Sequence, residues 1–166
     1  MMNRFQHNPW KTTALIIDLD QVATAQRLAR TFCCEDWDYM FAFFSDHLIV
    51  PFVYSRLKAK NLDSYLPERI KDAMEIVTEL NDVRNAYHET ILYEASAILN
   101  SSGITPCILK GAICLIPEQY PHARNRFMSD IDLLVNPTDH HSYLAIAPKM
   151  FVSASSLRRL KRKSIR

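Results

Sequence analysis

The sequence predicts an α+β fold: a helical N-terminal region followed by a short element of strands and helices. Two observations predict it. Apolar residues recur at three- and four-residue spacing through most of the first hundred positions. After Gly103 the texture changes to short β-branched apolar runs, "ITPCILK" and "SDIDLLV". Glycine is scarce, with 2 in 166 residues, so the chain has neither a GxGxxG nor a GxxxxGK[ST] loop.

The elements follow in order. "TALIIDLDQVATAQRLAR" carries Leu15, Ile16, Leu19, Val22, Ala23 and Leu28 at near-helical spacing. "EDWDYMFAFFSDHLI" puts Trp37, Met40, Phe41, Phe44 and Leu48 on one face, with Asp36 as a cap. Burial of that aromatic face is the simplest account of it. Pro51 opens or kinks a further helix, "PFVYSRLKAK". The longest helix starts at Pro67, with Glu68 at the favourable end of its dipole. Ile70, Met74, Val77, Leu80, Tyr87, Ile91, Ala95 and Ile98 form its stripe, and Gly103 ends it. About 35 residues at 1.5 Å each would run about 50 Å. A break is expected near Asn81–Asp82.

"ITPCILK" is the first strand, and "GAICLI" opens a helix that Pro117 stops. "PEQYPHARNR" is a loop, "SDIDLLV" the second strand, and "NP" its end. "TDHHSYLAIA" reads as one more short helix, capped by Thr138.

Charge and cysteine usage narrow the class. Residues 1–148 hold all 18 acids against 13 Lys/Arg, a net −5, while residues 149–166 hold 7 Lys/Arg and no acid. A basic tail of this kind suits a solvated end, and alternatively weak, salt-dependent contact with nucleic acid. The four cysteines lack CxxC spacing and are expected to be reduced and packed as small apolar residues. No apolar run reaches the roughly 20 residues of a membrane span, and "MMNRFQHNPWKTT" has no signal-peptide core. A cytoplasmic location without membrane contact is the expectation.

The chemistry centres on "RFMSDIDLLV". Side chains alternate across a strand, so Asp130 and Asp132 share a face while Ile131 and Leu133 take the other. Two like charges that close cost stability unless a cation joins them. Mg²⁺ takes one or two carboxylates plus water and substrate phosphate. An edge strand with solvated aspartates is the alternative for a bare DxD.

The context is "ILKGAICL" about twenty residues earlier. Leu109, Lys110, Gly111, Ala112, Tyr120, Pro121, Arg126, Met128, Ser129, Asp130, Ile131, Asp132, Leu133, Leu134 and Val135 fall in step with a known pattern. So do the Asp-Trp at 36–37 and the later Pro-x-x-Tyr-x-x-Leu. On these residues the chain resembles the uncharacterised nucleotidyltransferase family of the DNA polymerase β-like nucleotidyltransferase superfamily, over residues 30–137.

The resemblance implies a partial nucleotidyltransferase-like mixed sheet with helices, joined to the helical region. It implies Mg²⁺ as cofactor and an NTP as donor to a hydroxyl acceptor, whether small molecule, RNA or protein. Asp130 and Asp132 would be catalytic metal ligands, and Gly111 the glycine approaching the triphosphate. Ala112 stands where the superfamily usually has Ser or Gly. Lys110 and Arg126 are candidate phosphate contacts, and Ser129 a local hydrogen-bonding residue rather than a nucleophile. His140 and His141 read as surface residues.

The pattern departs at its end. The superfamily needs a third carboxylate from a later strand, and the one acid after Asp132 is Asp139, at an expected helix start. Two strands alone are marginal. The expectation is a C-terminally shortened member: helical region 1–102, partial nucleotidyltransferase core 103–147, and basic tail 148–166 with little order. Such a chain would bind nucleotide or metal weakly and be impaired in catalysis. The alternative is a non-catalytic helical module that binds a partner or RNA and keeps a vestigial site.

Overall fold

A computed structural model describes residues 8–116, 125–136 and 138. The expected helix at 138–147, apart from Thr138, and the basic tail lie outside the described residues, as do Tyr120, Pro121, Asp139, His140 and His141. The architecture is α+β: five α-helices, then a two-stranded antiparallel sheet, among the described residues. The chain divides into two compact units. One comprises residues 1–83 with 124–127, the other 84–123 with 128–166.

The helical unit begins with α1 (Pro9–Ile17), where Asn8 Oδ1 accepts from the Trp10 and Lys11 amides and Pro9 takes the first position. The expected single helix over 13–30 is interrupted at Asp18. That residue is extended, and its carboxylate accepts the Asp20 amide, a local bond that competes with helix continuation. The chain resumes as α2 (Val22–Ala29), leaving Leu19 and Val22 exposed rather than on the buried face.

In α3 (Cys34–Asp46) Asp36 does cap, but from the third position, accepting the Cys33 amide at 3.0 Å. Trp37, Met40 and Phe44 are buried as expected, whereas Leu48 lies past the helix end, exposed and left-handed. Helix α4 (Val50–Ala59) carries Pro51 in its first turn. These helices pack around Met40, Phe44, Val53, Leu57 and Met74. Lys60, 2% exposed, donates to the carbonyls of Leu15 and Asp18, so one ammonium satisfies carbonyls at the C-terminal end of α1. Burial pushes its pKa down.

Helix α5 (Glu68–Ser101) has 34 residues and no break at Asn81–Asp82. Its buried stripe differs from the apolar one expected. Leu80 is 62% exposed, and Asn81 and Asn85 are buried in the middle of the helix. Asn81 Nδ2 donates to the Arg126 carbonyl at 3.1 Å, which explains how an amide is held there. The helix ends as expected at Gly103, whose φ of 77° is left-handed. The Gly103 amide donates to Asn100 and the Ile104 amide to Leu99, the Schellman pattern, with Leu99 and Ile104 packed together.

In the second unit, β1 (Cys107–Leu109) pairs antiparallel with β2 (Asp132–Leu134) in the register Cys107↔Leu134, Ile108↔Leu133, Leu109↔Asp132. "GAICLI" is not an α-helix but part of a 3₁₀ turn over Lys110–Leu115. In that geometry residues three apart align, so Ala112 and Leu115 both reach the core. They meet Leu92 of α5 and Met128, with Ile108, Ile131 and Leu133 around them. The four cysteines are free, but Cys33, Cys34 and Cys107 are exposed, not packed in a core. Among the described residues no helix is long and apolar enough to cross a membrane.

Candidate functional site

The register fixes the neighbourhood of Asp132. Leu109 pairs with Asp132, so the next residue, Lys110, turns off the end of β1 beside it. Lys110 Nζ lies 2.9 Å from Asp132 Oδ2, with side-chain exposures of 73% and 35%. Its pKa is held above the usual lysine value by the bond to Asp132, and Asp130 adds to the effect. One ammonium therefore sits in the field of both carboxylates. Ser129 Oγ donates to Asp130 Oδ1 at 3.0 Å and fixes that carboxylate locally.

The remaining positions separate. Ala112 is 1% exposed within the Leu92–Leu115–Met128 core, so any contact it made to a nucleotide would come from its backbone. Gly111 is half-buried, and the left-handed residue of the turn is Lys110 at φ 51°. Arg126 is exposed and belongs to the helical unit, where its carbonyl receives Asn81.

Sequence reasoning passed over the polar inward positions of α5. Leu92 packs against Met128 in the core below the strand, and His88 stands one turn earlier on the same helix face. Burial and the Arg84 guanidinium push the His88 pKa down, while Asp130 pulls it the other way, so the ring lies within the field of Asp130. Its Nδ1 is buried and has no hydrogen-bond partner among the described residues. A signal was available: the stripe Ile70, Met74, Val77 … Leu92, Ala95, Leu99 is polar at Asn81, Asn85 and His88. A helix keeps polar side chains on its inward face only where something receives them.

Among the described residues no cluster of three or more His, Cys, Asp and Glu side chains stands ready for a metal ion. Asp130 and Asp132 supply two hard carboxylate donors in the field of a common cation.

Comparison with known proteins adds a match to the family described as uncharacterised nucleotidyltransferase, over residues 34–150. The chain belongs to that family. The matched span takes in α3 onward, the Lys110 turn and both aspartates. No curated protein and no solved structure matches this nucleotidyltransferase. Family membership implies a nucleoside triphosphate substrate, and nucleotidyltransferases of this kind usually work with divalent metal.

Proposed function

We propose that this nucleotidyltransferase binds a Mg²⁺–nucleoside triphosphate at Asp130 and Asp132 and transfers the nucleoside monophosphate to a hydroxyl acceptor. The observation that carries the reading is the ion pair of Lys110 with Asp132 where β1 ends and β2 begins, with a second carboxylate, Asp130, two residues earlier. Two carboxylates fit the donor set Mg²⁺ prefers, with water and phosphate completing it. When bound, the ion would supply charge compensation to the phosphates.

The chain's own groups have separable tasks. Asp130 and Asp132 hold the cation, and Ser129 orients Asp130. Lys110, with the Gly111 and Ala112 backbone, faces the triphosphate. In the reaction the acceptor oxygen bonds to the α-phosphorus, pyrophosphate leaves, and the hydroxyl proton passes to a base. The described residues bring two carboxylates to the site, not three, so in this reading nucleotide binding outlasts turnover. In this reading residues 103–147 act as the nucleotidyltransferase core, residues 1–102 are the helical region, and a cytoplasmic setting supplies the nucleotide.

Titration of ATP and GTP in the presence of Mg²⁺, beside the double variant Asp130→Asn/Asp132→Asn, tests the site. Loss of binding in the variant is expected; equal binding by both chains would move the site elsewhere.

One observation favours a second reading, a non-catalytic partner-binding module with a vestigial site. Ile76, Leu80 and Val83 form an exposed apolar row on α5. Under that reading millimolar Mg²⁺ and ATP leave the thermal midpoint unmoved, because a ligand that binds the folded state must raise it.

A further inference from the structure

Lys110 meets Asp132 in a way that a simple phosphate contact does not require. Its ammonium is 2.9 Å from the Asp132 carboxylate, so it occupies an oxygen that a cation at the site would use. Its backbone is left-handed, at φ 51°, which is unfavourable for a residue with a Cβ. A glycine that would take that conformation freely stands one position later, at Gly111, where φ is not positive. The uncommon conformation therefore falls on the residue that reaches Asp132. The lysine side chain is 73% exposed, so it can leave the carboxylate without disturbing the core.

We propose that Lys110 is the resident counter-cation of Asp132: it holds the site against bare metal and is released when an incoming triphosphate accepts its ammonium. The proposal rests on the metal-site reading above and adds an order of loading to it. Lys110 and a divalent ion cannot both sit on Asp132 without repelling each other. A free ion at Asp132 therefore works against the ammonium already paired there. A metal-bound triphosphate brings anionic oxygens to which the ammonium can transfer. Lys110 thus weakens bare-metal binding and strengthens nucleotide binding. A lysine that only touched phosphate would do the second and not the first.

The test uses the full chain with Mn²⁺ as a spectroscopic probe, free ion being counted by electron paramagnetic resonance, and MgATP binding followed by calorimetry. Lys110→Gln and Lys110→Asn remove the charge, asparagine being suited to the left-handed backbone. Lys110→Arg keeps it. Expected is Mn²⁺ binding about two- to fivefold tighter in the Gln and Asn variants, the range carried by an exposed ion pair. MgATP should bind them about tenfold more weakly, and the Arg variant should follow the parent chain. Circular dichroism of each variant checks the fold. Unchanged or weaker Mn²⁺ binding in both neutral variants, with binding still abolished by Asp132→Asn, overturns the gate and leaves the metal site standing. Mn²⁺ binding that is absent, or that survives Asp130→Asn/Asp132→Asn unaltered, overturns both.

Discussion

Replacing Leu92 by alanine should undo the support beneath the two aspartates. Leu92 is 1% exposed and packs with Ala112, Leu115 and Met128, the only buried residues in its cluster among those described. The substitution removes three carbons, worth about 2.4 kcal/mol of transfer free energy at about 0.8 per buried carbon. The cavity left behind adds to this, giving about 3–4 kcal/mol in total. That is a large share of the roughly 5–15 kcal/mol by which a domain is stable. Amide hydrogen exchange is the suitable assay, because it reads Ile108 and Leu133 in the paired strands individually. Their protection should fall by two to three powers of ten, about one for each 1.4 kcal/mol. Leu92→Met, which conserves volume, should cost less than about 1.5 kcal/mol. Tyr93→Ala, at a 53% exposed neighbour, should change protection by less than about 0.5 kcal/mol. If Leu92→Ala costs no more than Tyr93→Ala, the strands are not held by α5 and the reasoning fails.

Two other outcomes are expected. Gly103→Ala, at φ 77° in the Schellman turn, has open space for its methyl group, so its cost is conformational, about 1 kcal/mol, read as a lower midpoint in urea; no loss would mean that the left-handed turn is not maintained. His88 has its pKa pushed down by burial and by Arg84, against the pull of Asp130, so between that lowered value and the ordinary value of about 6.5 the unfolded chain takes a proton that the folded chain refuses. Its contribution is intact above about pH 6.5 and is lost as pH falls through that window. His88→Gln should lose less stability between pH 7.5 and 5.5 than the parent chain, and equal losses in both would contradict the assignment.

The parts of this fold that were legible in the sequence are those set by local chemistry. Pro51 sits in a first turn, Gly103 ends α5, and the centre of "SDIDLLV", Asp132–Leu134, makes a strand shorter than expected, with Asp130 just before it. What was hidden depended on competition between local and distant partners. Asp18 breaks a helix because its own side chain offers the backbone another bond. "GAICLI" has apolar residues at either helical spacing, and only the core it meets selects the 3₁₀ form. For α5, an apolar count favoured Leu80 over Asn81, whereas the inward position went to the amide that finds the Arg126 carbonyl. At the candidate site the sequence marked both aspartates and Lys110, since they lie in short motifs. His88 escaped because its relation to Asp130 is made through tertiary packing, 42 positions away along the chain.

The site's dependence on α5 follows from the size of its sheet. Each described strand has three residues, too short for a ladder to be stable alone. Ile108 and Leu133 turn one face of the pair toward Leu92 and Met128, and Leu133 also reaches the Leu99–Ile104 cluster with Val135. The two apolar clusters therefore set where β2 lies, and β2 sets Asp132. Asp130 precedes the strand and is tied by Ser129, while Ile131 between the two aspartates packs into the first cluster. The separation of the carboxylates is thus governed by how Ile131 and Leu133 pack, not by strand hydrogen bonds alone. A substitution at Ile131 that enlarges the side chain would shift Asp130 against Asp132 without touching either charge. Whatever cation the pair holds, Lys110 or metal, its fit is determined from beneath by the C-terminal half of one helix.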